Sequence, residues 1–114
     1  MGVSELCALD DGRLLVLERE FFTSPSAIPH ASVSCRLYMV NPQAAPGPGE
    51  VLGKTLVAAF RTRLNLLRQN LANYEGMCLG PKLADGSRVL IMVSDSQNRY
   101  KGILRDWFRT VVIR

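Results

Sequence analysis

Residues 5–18 read ELCALDDGRLLVLE, and residues 75–95 read EGMCLGPKLADGSRVLIMVSD. Each stretch begins with a glutamate, continues through a short apolar segment, turns at Asp-Gly and continues through a second apolar segment. Asp-Gly between apolar runs is a strong signal for a β-hairpin, because glycine accepts the positive φ of tight turns. The second apolar segments, at 14–17 and 89–93, are continuous rather than alternating, which is typical of strands covered on both faces. One structural unit is therefore predicted twice.

Further strands are predicted between and after these hairpins. Residues 35–40 combine polar, apolar and aromatic side chains, and residues 54–60 follow a Pro/Gly-rich loop at 41–50. Four consecutive strands joined by turns form a meander, which is the composition of one propeller blade. The second hairpin is followed by one more apolar segment, at 107–113, so a second blade would contain three strands.

The predicted fold is an all-β, β-propeller-like fragment with antiparallel meander sheets, amounting to about one and three-quarter blades. A single domain is predicted over residues 1–114, with a blade-like unit at 3–60 and a second, incomplete unit at 61–114. A short helix is predicted near residues 62–70, because leucines recur there at helical spacing.

Composition excludes several classes of protein. The formal charge of +4 comes from 14 basic and 10 acidic residues, and no stripe of basic and aromatic residues accompanies it, so no nucleic-acid partner is expected. No apolar run approaches the roughly 18 residues that a membrane span requires. A basic start followed by an apolar stretch is missing at the N-terminus, so no signal peptide is predicted within this sequence.

The cysteines predict neither a disulfide framework nor a zinc site. They are three in number, widely spaced and without a Cys-x-x-Cys pair, and the chain contains one histidine. Two of them, Cys7 and Cys78, lie inside apolar strands and are predicted to be buried structural thiols.

Acidic residues recur at fixed places in the two stretches. Glu5 and Glu75 begin the first strands, whereas Glu18 and Asp95 follow the second strands. In a propeller the first strand of each blade lines the central channel, so such acids can converge on its axis. Oxygen donors of this kind suit Ca²⁺, and the candidate ligands are Asn73, Glu75, Asp95 and Asn98. The structural alternative is that Glu75 ties adjacent blades through hydrogen bonds to the backbone and that Asp95 caps a turn.

Arg19 is the best-placed candidate for binding phosphate. A guanidinium group binds phosphate oxygens in a bidentate manner. The alternative is a local ion pair between Arg19 and the adjacent Glu18.

Four segments carry a resemblance to a known family: NYEGM (73–77), ADG (84–86), LIMVSD (90–95) and DGRLLVLER (11–19). They resemble the phytase-like domain family, which is described as having esterase-like activity. The resemblance implies a propeller-like β-fold, a mostly secreted bacterial family and hydrolysis of phosphoesters or esters. The chain is also distantly similar to calcium-dependent lactonase and paraoxonase propellers, in which Glu, Asn and Asp side chains in the channel hold the metal.

A closed propeller needs about four to eight blades, so the resemblance implies that this chain is the C-terminal portion of a secreted or periplasmic parent protein. The functional hypothesis is a partial hydrolase domain in which Glu75 and Asp95 face the channel and bind a divalent cation, with Arg19 as the phosphate-binding group. The competing hypothesis is a non-catalytic interaction or structural module whose acids, such as Glu5 and Glu18, are structural. Open strand edges predict self-association or pairing with the rest of the propeller.

Overall fold

The described residues of the computed structural model form seven β-strands in two antiparallel meander sheets. The predicted all-β class is therefore confirmed. The structure describes residues 1–23, 31–44, 46–65, 67, 69–99, 102 and 104–114. The strands are β1 (Gly2–Ala8), β2 (Leu14–Phe22), β3 (Ser32–Val40), β4 (Lys54–Arg63), β5 (Tyr74–Lys82), β6 (Arg88–Ser94) and β7 (Phe108–Ile113).

Each strand pairs with the next strand of its own sheet. Sheet A has the order β1-β2-β3-β4, and sheet B has the order β5-β6-β7. A one-turn 3₁₀ helix, Pro42–Ala44, lies in the connection between β3 and β4. The described part of the chain contains no helix long and apolar enough to cross a membrane.

A strand occupies the start of the region where a short helix was predicted, near residues 62–70. Strand β4 continues to Arg63, because Thr62 pairs with Val33 in the β3–β4 ladder. Beyond it, one helical-type hydrogen bond of 2.7 Å joins the Gln69 N–H to the Asn65 carbonyl. Positions 66 and 68 lie outside the described residues. Strand pairing over long range thus overrides the leucine spacing at the beginning of this segment.

The two Asp-Gly turns have the same hydrogen bonds. They span residues 9–13 and residues 83–87, and in each the N–H of the first residue donates to the carbonyl of the last over 2.8 Å. In each, the aspartate carboxylate accepts a hydrogen bond of 3.0 Å from the N–H of the last residue. The glycines have the positive φ that the sequence predicted, 85° at Gly12 and 86° at Gly86.

A bulge in β5 changes the alignment that the sequence suggested between the two hairpins. The register of β5 on β6 shifts between Leu79 and Lys82, so β5 contains an extra residue near the turn. Glu5 lies opposite Leu17 in sheet A, whereas Glu75 lies at a second register shift of β5, between Tyr74 and Gly76, far from the turn. The two glutamates do not occupy equivalent positions along their strands.

The core lies between the two sheets. Sheet A contributes the fully buried Leu15, Leu17 and Leu37, and sheet B contributes the fully buried Leu90 and Met92. Burying each of these side chains stabilises the fold by about 1.5–3 kcal/mol. The two sheets are thus held together mainly by apolar side chains from their central strands.

Candidate functional site

An ion pair between the two sheets forms the centre of the candidate site. Arg19 lies on β2 and Glu75 lies on β5, and their Nη1 and Oε1 atoms are 2.9 Å apart. The two side chains are 29% and 34% exposed. The pair thus lies at the rim of the core, where solvent or a ligand can reach it.

Arg19 pairs with Glu75 and not with its neighbour Glu18. Successive side chains of a strand point to opposite faces, so Glu18 lies on the outer side of sheet A, where Lys54 Nζ approaches its carboxylate at 2.5 Å. The local ion pair considered from the sequence is thus replaced by one that joins the sheets. The other predicted acid, Glu5, accepts a hydrogen bond of 2.9 Å from the N–H of the following residue.

Asn73 joins this pair, and Asp95 approaches it through its backbone. Asn73 Nδ2 donates to Glu75 Oε1 over 2.6 Å. The Asn73 carbonyl accepts a hydrogen bond of 3.2 Å from the Asp95 N–H. The Asp95 carboxylate turns toward its own loop, where it accepts a hydrogen bond of 2.7 Å from the Gln97 N–H. The structure therefore brings Arg19, Asn73 and Glu75 together and leaves the Asp95 side chain at the edge of the group.

The predicted calcium ligands are not arranged as an oxygen cage. Glu75 Oε1 accepts N–H groups from both Arg19 and Asn73, and the Arg19 charge would repel a cation at this distance. Asn98 lies in the turn after Asp95, with φ of 56°. Within the described residues, no three His, Cys, Asp or Glu side chains cluster as a metal site would require. Calcium binding here would require Arg19 to leave Glu75, and it stays a prediction.

A buried thiol lies next to the ion pair. Cys35 is directly opposite Arg19 in the β2–β3 ladder and is fully buried. Burial raises the pKa of the Cys35 thiol to about 11, and this rise is only partly offset by the positive charges of Arg19 and Arg109 and by the Tyr74 N–H. The thiol is therefore protonated at neutral pH and acts as an apolar wall of the site.

Arg109, on β7, is a site residue that the sequence analysis missed. Its guanidinium carbon lies 4.3 Å from the centre of the Phe60 ring and 5.9 Å from that of the Tyr74 ring. These two rings stack edge to face, with centres 5.5 Å apart. An arginine inside an apolar strand segment was the available signal, but its aromatic partners lie on β4 and β5, far away in the sequence.

The arrangement suits an anion better than a cation. Two guanidinium groups, those of Arg19 and Arg109, act on the buried Cys35, and one carboxylate, that of Glu75, pairs with Arg19. Guanidinium groups bind carboxylate and phosphate oxygens. A carboxylate at this position can accept a proton from water. Binding of an oxyanion and proton transfer are thus the chemistry available to these residues.

Comparison with known proteins identifies the family of the chain. The model of the phytase-like family, described as esterase-like activity of phytase, matches residues 1–97. The match includes Arg19, Glu75 and Asp95 and ends before Arg109. No curated protein and no solved structure matches the chain significantly. Because the family match covers most of the sequence, this chain belongs to the phytase-like family.

Proposed function

We propose that the chain forms part of a hydrolase site for phosphoesters or carboxylic esters, centred on the ion pair between Arg19 and Glu75. The observation that carries the proposal is this partly exposed pair between the sheets of a phytase-like chain. A guanidinium group has five N–H donors in a planar fork, and the contact with Glu75 uses Nη1. Its other donors can bind the oxygens of a phosphoryl or carbonyl group.

In the proposed reaction, Arg19 binds and orients the substrate oxygens, and Arg109 adds positive charge on the same side. A carboxylate, Glu75 or Asp95, accepts a proton from the attacking water. The water oxygen then forms a bond to phosphorus or to the carbonyl carbon, the bond to the ester oxygen breaks, and the leaving oxygen takes a proton from solvent. Arg19 stabilises the negative charge that develops on the substrate oxygens during this step.

Hydrolysis of an aryl phosphate and an aryl ester tests this proposal. We expect Glu75→Gln or Asp95→Asn, whichever removes the general base, to lower kcat by about 10²–10⁴-fold, and Arg19→Lys to raise KM. Glu18→Gln is the matched control, because it changes the adjacent acid on the outer side of the same strand. Equal rates for the parent and all three site variants would refute the assignment.

Phosphate binding gives a second measurement that does not depend on turnover. Glu75 competes with an anion for Arg19, so calorimetry should show tighter binding of inorganic phosphate to Glu75→Gln than to the parent chain. Arg19→Met should lose this binding. Weaker phosphate binding by Glu75→Gln would contradict an anion site at Arg19.

The metal-assisted form of this function is tested separately. When bound, a divalent cation would polarise the scissile group and lower the pKa of a bound water. Calorimetric titration with Ca²⁺ on the parent and on Glu75→Gln measures whether Glu75 is a ligand. Equal calcium binding by both would remove Glu75 from a metal site.

The second candidate function is a non-catalytic interaction or structural module. One observation favours it. The Glu75 carboxylate forms an ion pair with Arg19 and accepts a hydrogen bond from Asn73, as expected of a residue that connects two sheets. In that case neither aryl substrate is hydrolysed by the parent chain, and Glu75→Gln affects only stability.

A further inference from the structure

Corresponding residues of the two sheets can be identified from their turns. Because the turns at residues 9–13 and 83–87 share their hydrogen bonds, each β2 residue corresponds to the β6 residue 74 positions later. Leu15 and Leu17 of sheet A thus correspond to Val89 and Ile91 of sheet B. We call the side of each sheet that carries these residues its front, and the opposite side its back.

The two sheets meet front to back. In sheet A the fully buried residues of β2 are Leu15 and Leu17, which lie on the front. In sheet B the fully buried residues of β6 are Leu90 and Met92, which lie on the back. Two units related by a local two-fold axis would instead place the same side of each sheet in the contact. The contact within this chain is therefore of the head-to-tail kind.

Within the described residues, this packing leaves the back of sheet A and the front of sheet B without a covering sheet. On the back of sheet A, Leu56 is 53% exposed and lies opposite Tyr38, and Leu6 is similarly exposed. On the front of sheet B, Phe108 is 73% exposed, and Val112 is exposed on the same side of β7. Exposed large apolar side chains grouped on a sheet face mark an interaction surface.

We propose that the back of sheet A binds the front of sheet B in a second copy of this chain. The argument is continuity with the interface already present, since the chain itself places the front of one such sheet on the back of another. The continuous apolar runs at 14–17 and 89–93 are also typical of strands covered on both faces, and the described residues place a sheet against one face of each.

One ion pair on the back of sheet A is compatible with this contact. Glu18 and Lys54 form an ion pair there, and Lys54 Nζ lies 4.2 Å from the centre of the Tyr38 ring. The two opposite charges compensate each other, so covering this surface leaves neither of them unpaired. The contact joins different surfaces on the two copies, so further copies can add in the same orientation, as rings or open chains.

Sedimentation equilibrium of two face variants tests the proposal. Leu56→Glu removes the back surface and Phe108→Glu removes the front surface. We expect the parent chain to associate at concentrations up to about 1 mM, and each variant alone to be monomeric. An equal mixture of the two should form a dimer, because the intact front of one variant meets the intact back of the other. Leu6→Glu and Val112→Glu provide a second pair if circular dichroism shows that either variant is unfolded.

Leu67→Glu is the matched control, because Leu67 is 96% exposed but lies outside both sheets. This variant should associate like the parent. A monomeric parent chain would overturn the proposal. Association by either face variant alone would show a two-fold contact or pairing through strand edges, and a mixture that stays monomeric would equally exclude the head-to-tail contact.

Discussion

Removing the ion pair between Arg19 and Glu75 should weaken the attachment of the two sheets. Exposed ion pairs contribute about 0.2–1 kcal/mol, whereas breaking a buried pair costs about 3–5 kcal/mol. The two side chains are 29% and 34% exposed, so the free energy for this pair should lie well below the buried value and near the upper end of the exposed range. We therefore expect a coupling free energy of about 1 kcal/mol between the two residues.

A double-mutant cycle of Glu75→Gln and Arg19→Met, followed by urea unfolding at neutral pH, measures this coupling. Glutamine keeps a carbonyl oxygen, so the hydrogen bond from Asn73 can persist and the cycle isolates the ion pair. A coupling of this size corresponds to a change in Tm of about 3–6 °C for a domain of this length. The same cycle on Glu18→Gln and Lys54→Met is the control for a pair within one sheet.

The result that would refute this reasoning is a coupling below about 0.3 kcal/mol, which is the error of additivity for independent sites. Such a value would mean that Arg19 and Glu75 are too well solvated to hold the sheets together. The control pair should give a similar coupling, because Lys54 is more exposed than Arg19 whereas Glu18, at 13%, is less exposed than Glu75.

Further predictions concern the core, a turn and the thiols. Leu17→Ala should lower the free energy of unfolding by about 2–5 kcal/mol in urea, and a loss under about 1 kcal/mol would contradict close packing between the sheets. Gly86→Ala should cost about 1–2 kcal/mol, because its φ of 86° is unfavourable for alanine although a Cβ there would contact nothing within 4 Å. A thiol reagent at pH 8 should modify the exposed Cys78 first, Cys7 second and the buried Cys35 last. Cys7 should react more slowly than Cys78 because burial and the nearby Cys78 raise its pKa. Equal rates of modification would contradict the burial of Cys35. Because the pKa of Cys35 is raised to about 11 in the folded chain, its contribution to stability is fully present below the unfolded thiol pKa of about 8.5. That contribution falls as the pH rises toward 11, so Cys35→Ala should show a flatter decline of stability over this range.

The hairpins were predictable because their signals are local. Asp-Gly between apolar segments requires only the conformational freedom of glycine, and both turns form with glycine at positive φ. The covered face of each strand was not predictable, because a continuous apolar run does not distinguish its two sides. The prediction that Cys78 is buried is therefore wrong: its side chain lies on the front of sheet B and is exposed.

The candidate site was only partly predictable. The alternation of side chains in a strand already separates Glu18 from Arg19, so the sequence could have excluded their pairing. The partner of Arg19 could not be identified in this way, because Glu75 reaches it only through the packing of sheet B on sheet A. Arg109 was missed for the same reason, since its contacts with Phe60 and Tyr74 join three different strands.

The structural and the catalytic roles of Glu75 are linked through Arg19. An anion that binds the other donors of Arg19 competes with the Glu75 carboxylate for the same positive charge, so its binding free energy is reduced by as much as the coupling between the two residues. A coupling of about 1 kcal/mol corresponds to about a fivefold loss of affinity. The Glu75→Gln variant should therefore bind inorganic phosphate about fivefold more tightly. Its free energy of unfolding should fall by the corresponding amount, about 1 kcal/mol. Agreement between these two measurements would show that the residue holding the sheets together also controls access to Arg19. A stability loss without a gain in phosphate affinity would assign Glu75 to the structural role alone.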